Sequence, residues 1–569
     1  MQRGLSGPIA YGSTETMIRT LPVVVAAATL VACAPPAPGL TAHSAILPLS
    51  GPCPTDASAG SEFTTEAQSL RLTVNAPDLK QPVTAEGDGS SLSIEQVPVG
   101  ENRVVALFGM VGSTPVWRGV KRGVTVVQGD EPTEVDVLMA RVADLTCARG
   151  GDVDARAFHS ATVLNDGRIL LVGGAKTSAN ASGSGCGADC RRLTATAKAA
   201  VYDPGTGAFQ ETAPLSSARM FHTASKLDDG RVVIVGGTSE ALVWSVDASH
   251  PFPIVPTQPV ASVEVFDPES LSFSSGGNDP GGARIFAAAA SRGSDVLITG
   301  GIPAAGTPKH DLSNALDTTT VCGGRPVSCS AGPLMNSKRA GHVAFRIDPD
   351  GVFLWGGSVE SAPVNGIPGF QLELLRDGGS FELLNVAAMS SSRNLFFAAS
   401  AQYVGFRVLV AGGLARGADG TFALAQIDVD GSTSSPVYVY DATYDAAGGI
   451  AVGPQDGPQM KLSEARFFAA AAPLPGEERV LITGGFRDLA FAPSGALEIY
   501  DQVTLSTNAI AVGGTPRTLR QPRGGMVAVA NGDGAVLLSG GETPDATGRV
   551  PLATAEIFAD PQLPTGVAQ

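Results

Sequence analysis

The stretch from Ser217 to Gly237, "SARMFHTASKLDDGRVVIVGG", begins with an arginine close behind its first residue and ends in two glycines. Its Asp-Asp-Gly segment predicts a hairpin turn, because Asp and Gly tolerate the positive φ that tight turns need. The run "VVIV" has no polar alternation, which predicts a strand buried on both faces. The stretch therefore predicts two antiparallel strands that end at a glycine pair.

This plan occurs seven times. Runs of mostly apolar residues end in Gly-Gly at spacings of 56 to 72 residues, and an arginine lies 16 to 19 residues before each first glycine. The first glycines are Gly173, Gly236, Gly300, Gly356, Gly412, Gly484 and Gly540. The arginines are Arg156, Arg219, Arg284, Arg339, Arg393, Arg466 and Arg523. Such a period indicates a supersecondary unit that packs against its own copies.

Each glycine pair is followed by a third predicted strand, such as "AAVYDP" or "SVEVFDP", and then by an aromatic residue such as Phe209 or Phe273. Diglycine, Tyr/Phe-Asp-Pro, an aromatic residue and arginine together resemble the kelch repeat, although Phe replaces the usual tryptophan and the third copy lacks a clear Tyr-Asp. The resemblance implies a seven-bladed kelch-type β-propeller over residues 146–562. "VADLTCARGG", before Arg156, is expected to supply the fourth strand of the last blade and to close the ring.

Residues 51–145 contain short runs in which apolar and polar residues alternate, such as "SLRLTVNAP" and "TEVDVLMAR". These runs predict a small β-sandwich whose strands have one buried and one solvent-exposed face. "VPVGENRVVALFG" and "RGVTVVQGDEPTEVDV" resemble the prealbumin-like or carboxypeptidase-regulatory-like modules of bacterial surface proteins. The predicted fold class is therefore all-β, a sandwich followed by a propeller.

The N-terminus predicts export. Leu21–Val31 is an apolar run too short to span a bilayer as a helix, and it leads into Leu30-Val31-Ala32-Cys33. This resembles a bacterial lipobox, which implies cleavage after residue 32 and lipid attachment to Cys33, with Met17 a candidate start. Residues 34–50 are predicted to be a flexible tether and 563–569 a tail. The resemblance implies a membrane partner and a place in the cell envelope, at the outer membrane of a Gram-negative bacterium.

Six cysteines remain besides Cys33, an even number that suits disulfides in an exported protein. Pairing of near neighbours gives Cys186 with Cys190 and Cys322 with Cys329, and leaves Cys53 for Cys147. Other pairings of six cysteines are open at this point. No second ligand pair accompanies Cys186 and Cys190, so the sequence predicts no metal site and no cofactor.

The seven arginines allow two interpretations. They could bond neighbouring carbonyls or carboxylates as structural elements, or they could form a ring that faces an anionic ligand. They lie on the same face as the long segments 175–198, 238–260, 302–313 and 414–435, which follow the glycine pairs. Long loops on a rigid scaffold commonly carry recognition. We therefore expect this face to be the working surface.

Two functions remain open. The first is a surface binding or interaction protein that presents propeller loops to a protein or glycan; its oligomeric state is not indicated. The second is a sugar-active enzyme, because a sandwich followed by a kelch propeller is similar to the galactose oxidase architecture, which uses copper, two tyrosines, two histidines and a cysteine. No histidine follows His342, and His159, His222 and His342 are predicted to be structural. The net charge of −16 argues against nucleic acid.

Overall fold

The computed structural model describes residues 39–46, 53, 67–129, 131–148, 150–181, 190–245, 252–303, 312–347, 351–360, 363–364, 367–368, 372–376, 379–384, 394–403, 406–417, 419–429, 432–444, 450–455, 460–474, 478–546 and 548–561. Ordered secondary structure within these ranges is entirely β, which confirms the predicted all-β class. Accordingly, the same ranges offer no apolar helix of membrane-spanning length.

Seven four-stranded antiparallel sheets, here called repeat sheets 1 to 7, follow the sequence repeat. In each, a first strand pairs with the diglycine strand, which pairs with a third strand and then a fourth. Sheet 1 consists of Ser160–Val163, Ile169–Val172, Ala199–Asp203 and Ala208–Glu211, and sheet 2 of Thr223–Lys226, Val232–Val235, Ser262–Asp267 and Ser272–Asn278. Sheet 3 consists of Ala288–Ser291, Asp295–Thr299, Thr319–Gly323 and Ser328–Ala331, and sheet 4 of Val343–Ile347, Gly351–Trp355, Leu372–Arg376 and Phe381–Leu384. Sheet 5 consists of Ala399–Tyr403, Arg407–Ala411, Val437–Tyr444 and Ile450–Gln455, and sheet 6 of Ala470–Pro473, Arg479–Thr483, Leu497–Asp501 and Ser506–Ala509. Sheet 7 consists of Val527–Ala530, Ala535–Ser539, Ala555–Ala559 and Leu145–Cys147.

The sheets pack face to face in a closed order. Each successive pair of sheets shares one hydrophobic cluster, and the apolar diglycine strands supply much of it. A seventh cluster joins sheet 7 to sheet 1, with Leu537 and Ile557 on one side and Ile169 and Leu171 on the other. Burial on both faces explains why the diglycine strands have no polar alternation.

A cycle of backbone hydrogen bonds accompanies this packing. One residue of each repeat donates its N–H to the equivalent carbonyl of the preceding sheet, at 2.7 to 3.3 Å, and the first residue of the cycle bonds to the last. In six repeats this residue lies two positions after the arginine, and in the fifth it is Phe397, two positions after Leu395. The cycle consists of Phe158, Phe221, Phe286, Gly341, Phe397, Phe468 and Gly525. All seven have φ between +49° and +65°. Five phenylalanines therefore adopt a left-handed conformation that non-glycine residues seldom adopt, and the neighbouring sheets hold them in it.

The last sheet is completed from the N-terminal side, as predicted. Leu145–Cys147 pairs with Ala555–Ala559, so that Thr146 lies opposite Ile557. Two disulfides of the predicted pairing are present: Cys53–Cys147, with Cα atoms 5.3 Å apart, and Cys322–Cys329. Cys190 is also disulfide-bonded; its predicted partner Cys186, and the lipidation candidate Cys33, lie outside the described residues.

The N-terminal segment forms one seven-stranded sheet. Its strands in spatial order are Val83–Gly87, Ser69–Asn75, Gly100–Val111, Thr114–Val126, Thr133–Arg141, Leu40–Ile46 and Ser91–Ile94. The prediction of a tether over 34–50 is wrong for residues 40–46, which pair in parallel with Thr133–Arg141. Leu40 and Ala42 have no exposed surface and join the core of this sheet, so burial of alternate side chains fixes the strand.

The N-terminal sheet packs against repeat sheets 7 and 1. Arg118 donates to the carbonyl of Gly534, and Arg122 pairs with Asp533 in the first turn of sheet 7. Burial lowers the pKa of Arg118 to about 10, while the nearby carboxylate of Asp560 opposes that shift. Polar contacts therefore fix the relative position of the two parts.

The segments that follow the glycine pairs are more regular than expected. Those of sheets 1 and 2 combine into a four-stranded sheet, here called the loop sheet, made of Ala175–Asn180, Arg191–Ala195, Glu240–Val243 and Ile254–Pro256. Smaller strand groups occur elsewhere: Arg284–Ile285 with Ile302–Pro303; Pro363–Val364 with Ile367–Pro368; Leu395–Phe396 with Leu414–Arg416 and Phe422–Leu424; Ile427–Val429 with Ser432–Ser434; Ala511–Val512 with Thr515–Pro516; Glu542–Asp545 with Gly548–Pro551.

The two resolved disulfides should differ in their effect on stability. Cys53–Cys147 closes a loop of 94 residues and Cys322–Cys329 one of 7. Loop-closure entropy therefore predicts a loss of about 4–5 kcal/mol for Cys53→Ala/Cys147→Ala and about 2–3 kcal/mol for Cys322→Ala/Cys329→Ala. Scanning calorimetry of both variants checks the order. A larger loss from the short loop would contradict the view that Cys53–Cys147 secures the closing strand.

Candidate functional site

The predicted arginine ring is inside the protein. Arg156, Arg219, Arg339 and Arg466 have no exposed surface, and Arg284 and Arg523 are 1% exposed. Each guanidinium forms an ion pair with a buried carboxylate. The pairs are Arg156–Asp152, Arg219–Glu264, Arg284–Asp279, Arg339–Glu373, Arg466–Glu498 and Arg523–Glu556. The ligand-facing interpretation is therefore wrong for these six, because their charge is neutralised within the protein.

The arginines also bond the main chain on two sides. Five of them donate, at 2.6 to 3.1 Å, to the carbonyl of the first glycine in their own sheet. In turn, the carbonyl of Arg219 accepts a 2.8 Å bond from the N–H of Gly174 in the preceding sheet. A Cβ on Gly173 would lie 2.3 Å from this Arg219 carbonyl, and one on Gly174, which has φ +101°, would lie 2.9 Å from the carbonyl of Ala157 in its own repeat. The glycine pair is thus required for close approach, and the arginine fixes the junction.

The fifth repeat corrects the sequence alignment. Arg393 lies outside the described residues, and Leu395 occupies the position that arginine holds elsewhere, because the N–H of Gly357 bonds to the Leu395 carbonyl. Where four other sheets carry the carboxylate on the third strand, this sheet carries Tyr438. Leu395 and Tyr438 belong to one hydrophobic cluster. In this repeat, two side chains of one hydrophobic cluster therefore occupy the positions that the ion pair holds in those four sheets.

Aromatic side chains close the centre of the ring on the loop face. The rings of Phe158, Phe221, Phe286, Phe397 and Phe468 form a circle, with neighbouring centroids 4.7 to 5.4 Å apart. Phe252, from the loop sheet side, stacks on Phe397 at 5.7 Å and contacts Phe422. Among the described residues, the expected working face therefore has no open channel mouth at its centre, and the loop sheet lies on this face.

A cavity of about 260 Å³, here called the axial cavity, lies at the circle of phenylalanines. Phe252 and Phe422 do not line it. Its wall is built by the residues three positions after each arginine or its equivalent: His159, His222, Ala287, His342, Ala398, Ala469 and Met526. The repeat thus brings three histidines together that are far apart in sequence. Their common repeat position is the signal by which sequence reasoning could have found this cavity.

Two of these histidines also link adjacent sheets. Nε2 of His222 lies 2.8 Å from the Ser160 hydroxyl, and Nε2 of His342 lies 2.8 Å from the Thr299 hydroxyl. Burial lowers the pKa of both imidazoles to about 3, with a further contribution from Arg219 and Arg339 respectively. Burial likewise holds the pKa of His159 well below its usual value. All three rings are therefore neutral at ordinary pH.

The copper chemistry of the galactose oxidase alternative does not fit the described residues. Every described cysteine is in a disulfide, so none is free to be joined to a tyrosine. Within the same ranges, no three His, Cys, Asp or Glu side chains are placed to hold a metal. The axial histidines are accompanied by alanines, a methionine and phenylalanines rather than by further donors.

Comparison with known proteins shows no family and one distant structural similarity. No protein-family model matches the chain, and no curated protein matches it. A solved structure of a fungal alcohol oxidase of the AA5 family, in complex with copper, is similar at 15% identity with a TM-score of 0.49, covering 72% of this chain and 75% of the oxidase chain.

Removal of one partner of a buried ion pair should lower the stability of the fold strongly, and replacement of both partners should lower it less. Arg219→Leu leaves Glu264, which is 3% exposed, without its cation, and we expect a loss of about 3–5 kcal/mol. Arg219→Leu/Glu264→Tyr copies the Leu395–Tyr438 pair and should recover at least half of this. Calorimetry measures both. The control Arg192→Leu, at a half-exposed ion pair, should cost about 0–1 kcal/mol; equal losses in the single and double variants would contradict the account.

The axial histidines should make the fold acid-sensitive. Their pKa is about 3 in the folded chain for His222 and His342, against about 6.5 when unfolded. Below about pH 6.5 the unfolded state binds more protons, so stability falls as pH decreases, by up to ~1.4 kcal/mol per pH unit and histidine.

His222→Ala/His342→Ala places at these positions the alanine that sheets 3, 5 and 6 already have. Its melting temperature should drop less between pH 7.5 and 5 than that of the parent protein. Melting scans at both pH values check this, and identical drops would show that these imidazoles do not titrate on unfolding.

Proposed function

We propose that this protein is a lipid-anchored binding protein of the cell envelope, with a seven-bladed kelch-type propeller that presents its loop face to a protein or glycan. The propeller assignment is supported by the seven diglycine repeats, the closed order of seven sheets and the strand Leu145–Cys147 that completes the last one. The kelch resemblance of the repeats agrees with this arrangement.

The envelope assignment is supported by the N-terminal sequence and by the disulfides. The apolar run Leu21–Val31 precedes Cys33, as in a lipobox. The five described cysteines are all in disulfides, and disulfides of this kind persist outside the reducing cytosol. Because lipid attachment at Cys33 would hold the protein on a membrane, Cys33→Ser should release it from the membrane fraction.

The observation that carries the binding function is the loop sheet. Four strands from two repeats form an ordered platform on one face, although the repeat itself needs none of them. Lys176, Thr177, Asn180 and Arg192 are exposed there. Ordered, polar and exposed strands on a rigid scaffold bind partners at a low entropic cost. No catalytic group converges with them in the part of the chain that the structure describes.

A glycan array probed with the full-length protein tests this proposal. We expect saturable binding to defined glycans that Lys176→Ala/Asn180→Ala/Arg192→Ala weakens at least about tenfold, which corresponds to ~1.4 kcal/mol. The control Asp166→Ala lies in the turn of sheet 1 at the opposite end of its strands and should bind normally. Copper uptake with oxidation of sugars would support the enzyme alternative instead, and binding that ignores the triple variant would overturn the assignment to the loop sheet.

A further inference from the structure

One end of the N-terminal sheet, here called the entry end, is where the described chain enters this sheet. It is formed by residues 39, 94–101, 126–129 and 131–133. Thr133 donates its N–H to the carbonyl of Gly39 at 2.9 Å. Leu40, the next residue, lies opposite Ile94 on one neighbouring strand and opposite Thr133 on the other. The first described residues and the residues that precede Thr133 therefore meet at this end.

Two exposed valines lie at the entry end. Gly100 and Val126 form the last pair of their two strands, and Val99 and Val127 each lie one residue beyond this pair. Paired Cα atoms are about 5 Å apart and consecutive ones about 3.8 Å, so the Cα atoms of these valines lie within about 13 Å of each other. Val99 is 48% exposed and Val127 is 59% exposed. The other exposed large apolar side chains of the described residues lie far apart in sequence: Val111, Leu334 and Val503.

The repeat sheets contact the N-terminal sheet through other residues. Lys121 donates from Nζ to the carbonyl of Gly205 at 3.1 Å, and Arg122 pairs with Asp533. Gly205 and Asp533 belong to hairpin turns, one between the third and fourth strands of sheet 1 and one between the first and second strands of sheet 7. The loop sheet instead follows the second strands of its repeats. The N-terminal sheet and the loop sheet are therefore at opposite ends of the repeat-sheet strands.

A short segment separates the entry end from the lipidation candidate. Five residues, 34–38, lie between Cys33 and Gly39. The six residue steps from Cys33 to Gly39 span at most about 21 Å when fully extended, so a lipid on Cys33 would hold a bilayer within about that distance of Gly39. Such a tether gives the entry end a high effective concentration at the bilayer surface. A contact too weak to bind a free protein to a membrane is therefore sufficient here.

The charges at the entry end define the kind of membrane that it fits. Three carboxylates are exposed there: Glu95, Glu101 and Glu131. Arg103 is 1% exposed and bonded to Asp78, so its charge is neutralised within the protein, and the exposed Lys80 in the loop after Ser69–Asn75 offsets only part of the negative charge. Anionic lipids attract clustered Lys and Arg and would repel these carboxylates. The entry end therefore suits a zwitterionic bilayer, where apolar contact rather than charge supplies the attraction.

We propose that the entry end is a membrane-contact surface, at which Val99 and Val127 insert into the headgroup region of a zwitterionic bilayer beside the lipid on Cys33. Membrane interfaces bind apolar side chains, and the binding grows with the apolar area that is buried. This inference rests on the proposed lipid anchor and names the surface that the anchor brings to the membrane. The N-terminal sheet then lies against the bilayer, and the loop sheet faces away from it toward a partner.

Tryptophan fluorescence of the full-length, lipidated protein in phosphatidylcholine vesicles tests this proposal. The native tryptophans are buried: Trp117, Trp244 and Trp355. Val99→Trp and Val127→Trp therefore each add an exposed indole, and bromine on the lipid chains quenches an indole that enters the bilayer. We expect brominated vesicles to lower the added emission by about half or more relative to unbrominated ones. The control Val503→Trp, at a 73% exposed position in the turn after Leu497–Asp501, should emit equally in both.

Co-flotation with the vesicles measures the anchor separately, and either reporter decides if the other variant is unstable. Co-flotation that needs Cys33, with equal emission of Val99→Trp and Val127→Trp in both kinds of vesicle, would overturn the contact surface and leave the anchor intact. Loss of co-flotation in the parent protein would overturn both, and quenching of Val503→Trp would overturn the contact surface because it indicates adsorption without a fixed orientation. Phosphatidylglycerol in the vesicles should weaken the quenching at the two valine positions, and stronger quenching would contradict the zwitterionic assignment.

Discussion

Six of the seven junctions between neighbouring repeat sheets have a buried arginine beside a glycine pair, and the fifth repeat has Leu395 at that position. The guanidinium is held by a carboxylate and by the carbonyl of the first glycine, while the backbone of the same arginine accepts a bond from the preceding sheet. The first glycine permits this approach, because a Cβ on Gly173 would lie 2.3 Å from the Arg219 carbonyl of the neighbouring sheet. Repeated around the chain, the junction imposes the closed order of sheets, the left-handed phenylalanines and the axial cavity.

Much of this architecture follows from the sequence because it is local or strictly periodic. The hairpin turns, the diglycine strands, the closing strand at Leu145–Cys147 and the Cys53–Cys147 pairing come from spacing and from apolar pattern. Features that need a distant partner do not follow. The parallel pairing that makes Leu40–Ile46 a strand, and the pairing of Arg191–Ala195 with Glu240–Val243, depend on segments far away in sequence.

The role of the arginines shows the limit most clearly. Their positions are evident in the sequence, but their partners are not periodic: Asp152 and Asp279 precede the arginine, while Glu264 and Glu556 lie on third strands. Only the register of backbone bonds shows that Leu395, and not Arg393, belongs to the series. The repeat thus accounts for the scaffold. The seven copies differ in the loop sheet and in the histidine positions of the axial cavity, which the repeat does not dictate.

The most direct test of the central claim, that these junctions make the seven sheets one closed cooperative unit, is amide hydrogen exchange of the full-length protein. The amides of the seven residues in the hydrogen-bond cycle and of the second glycines should then exchange slowly and to a similar extent in all sheets, including sheets 1 and 7 on either side of the closure, since a cooperative unit opens with one free energy. Fast exchange at the junction of sheets 7 and 1, with protection elsewhere, would contradict it.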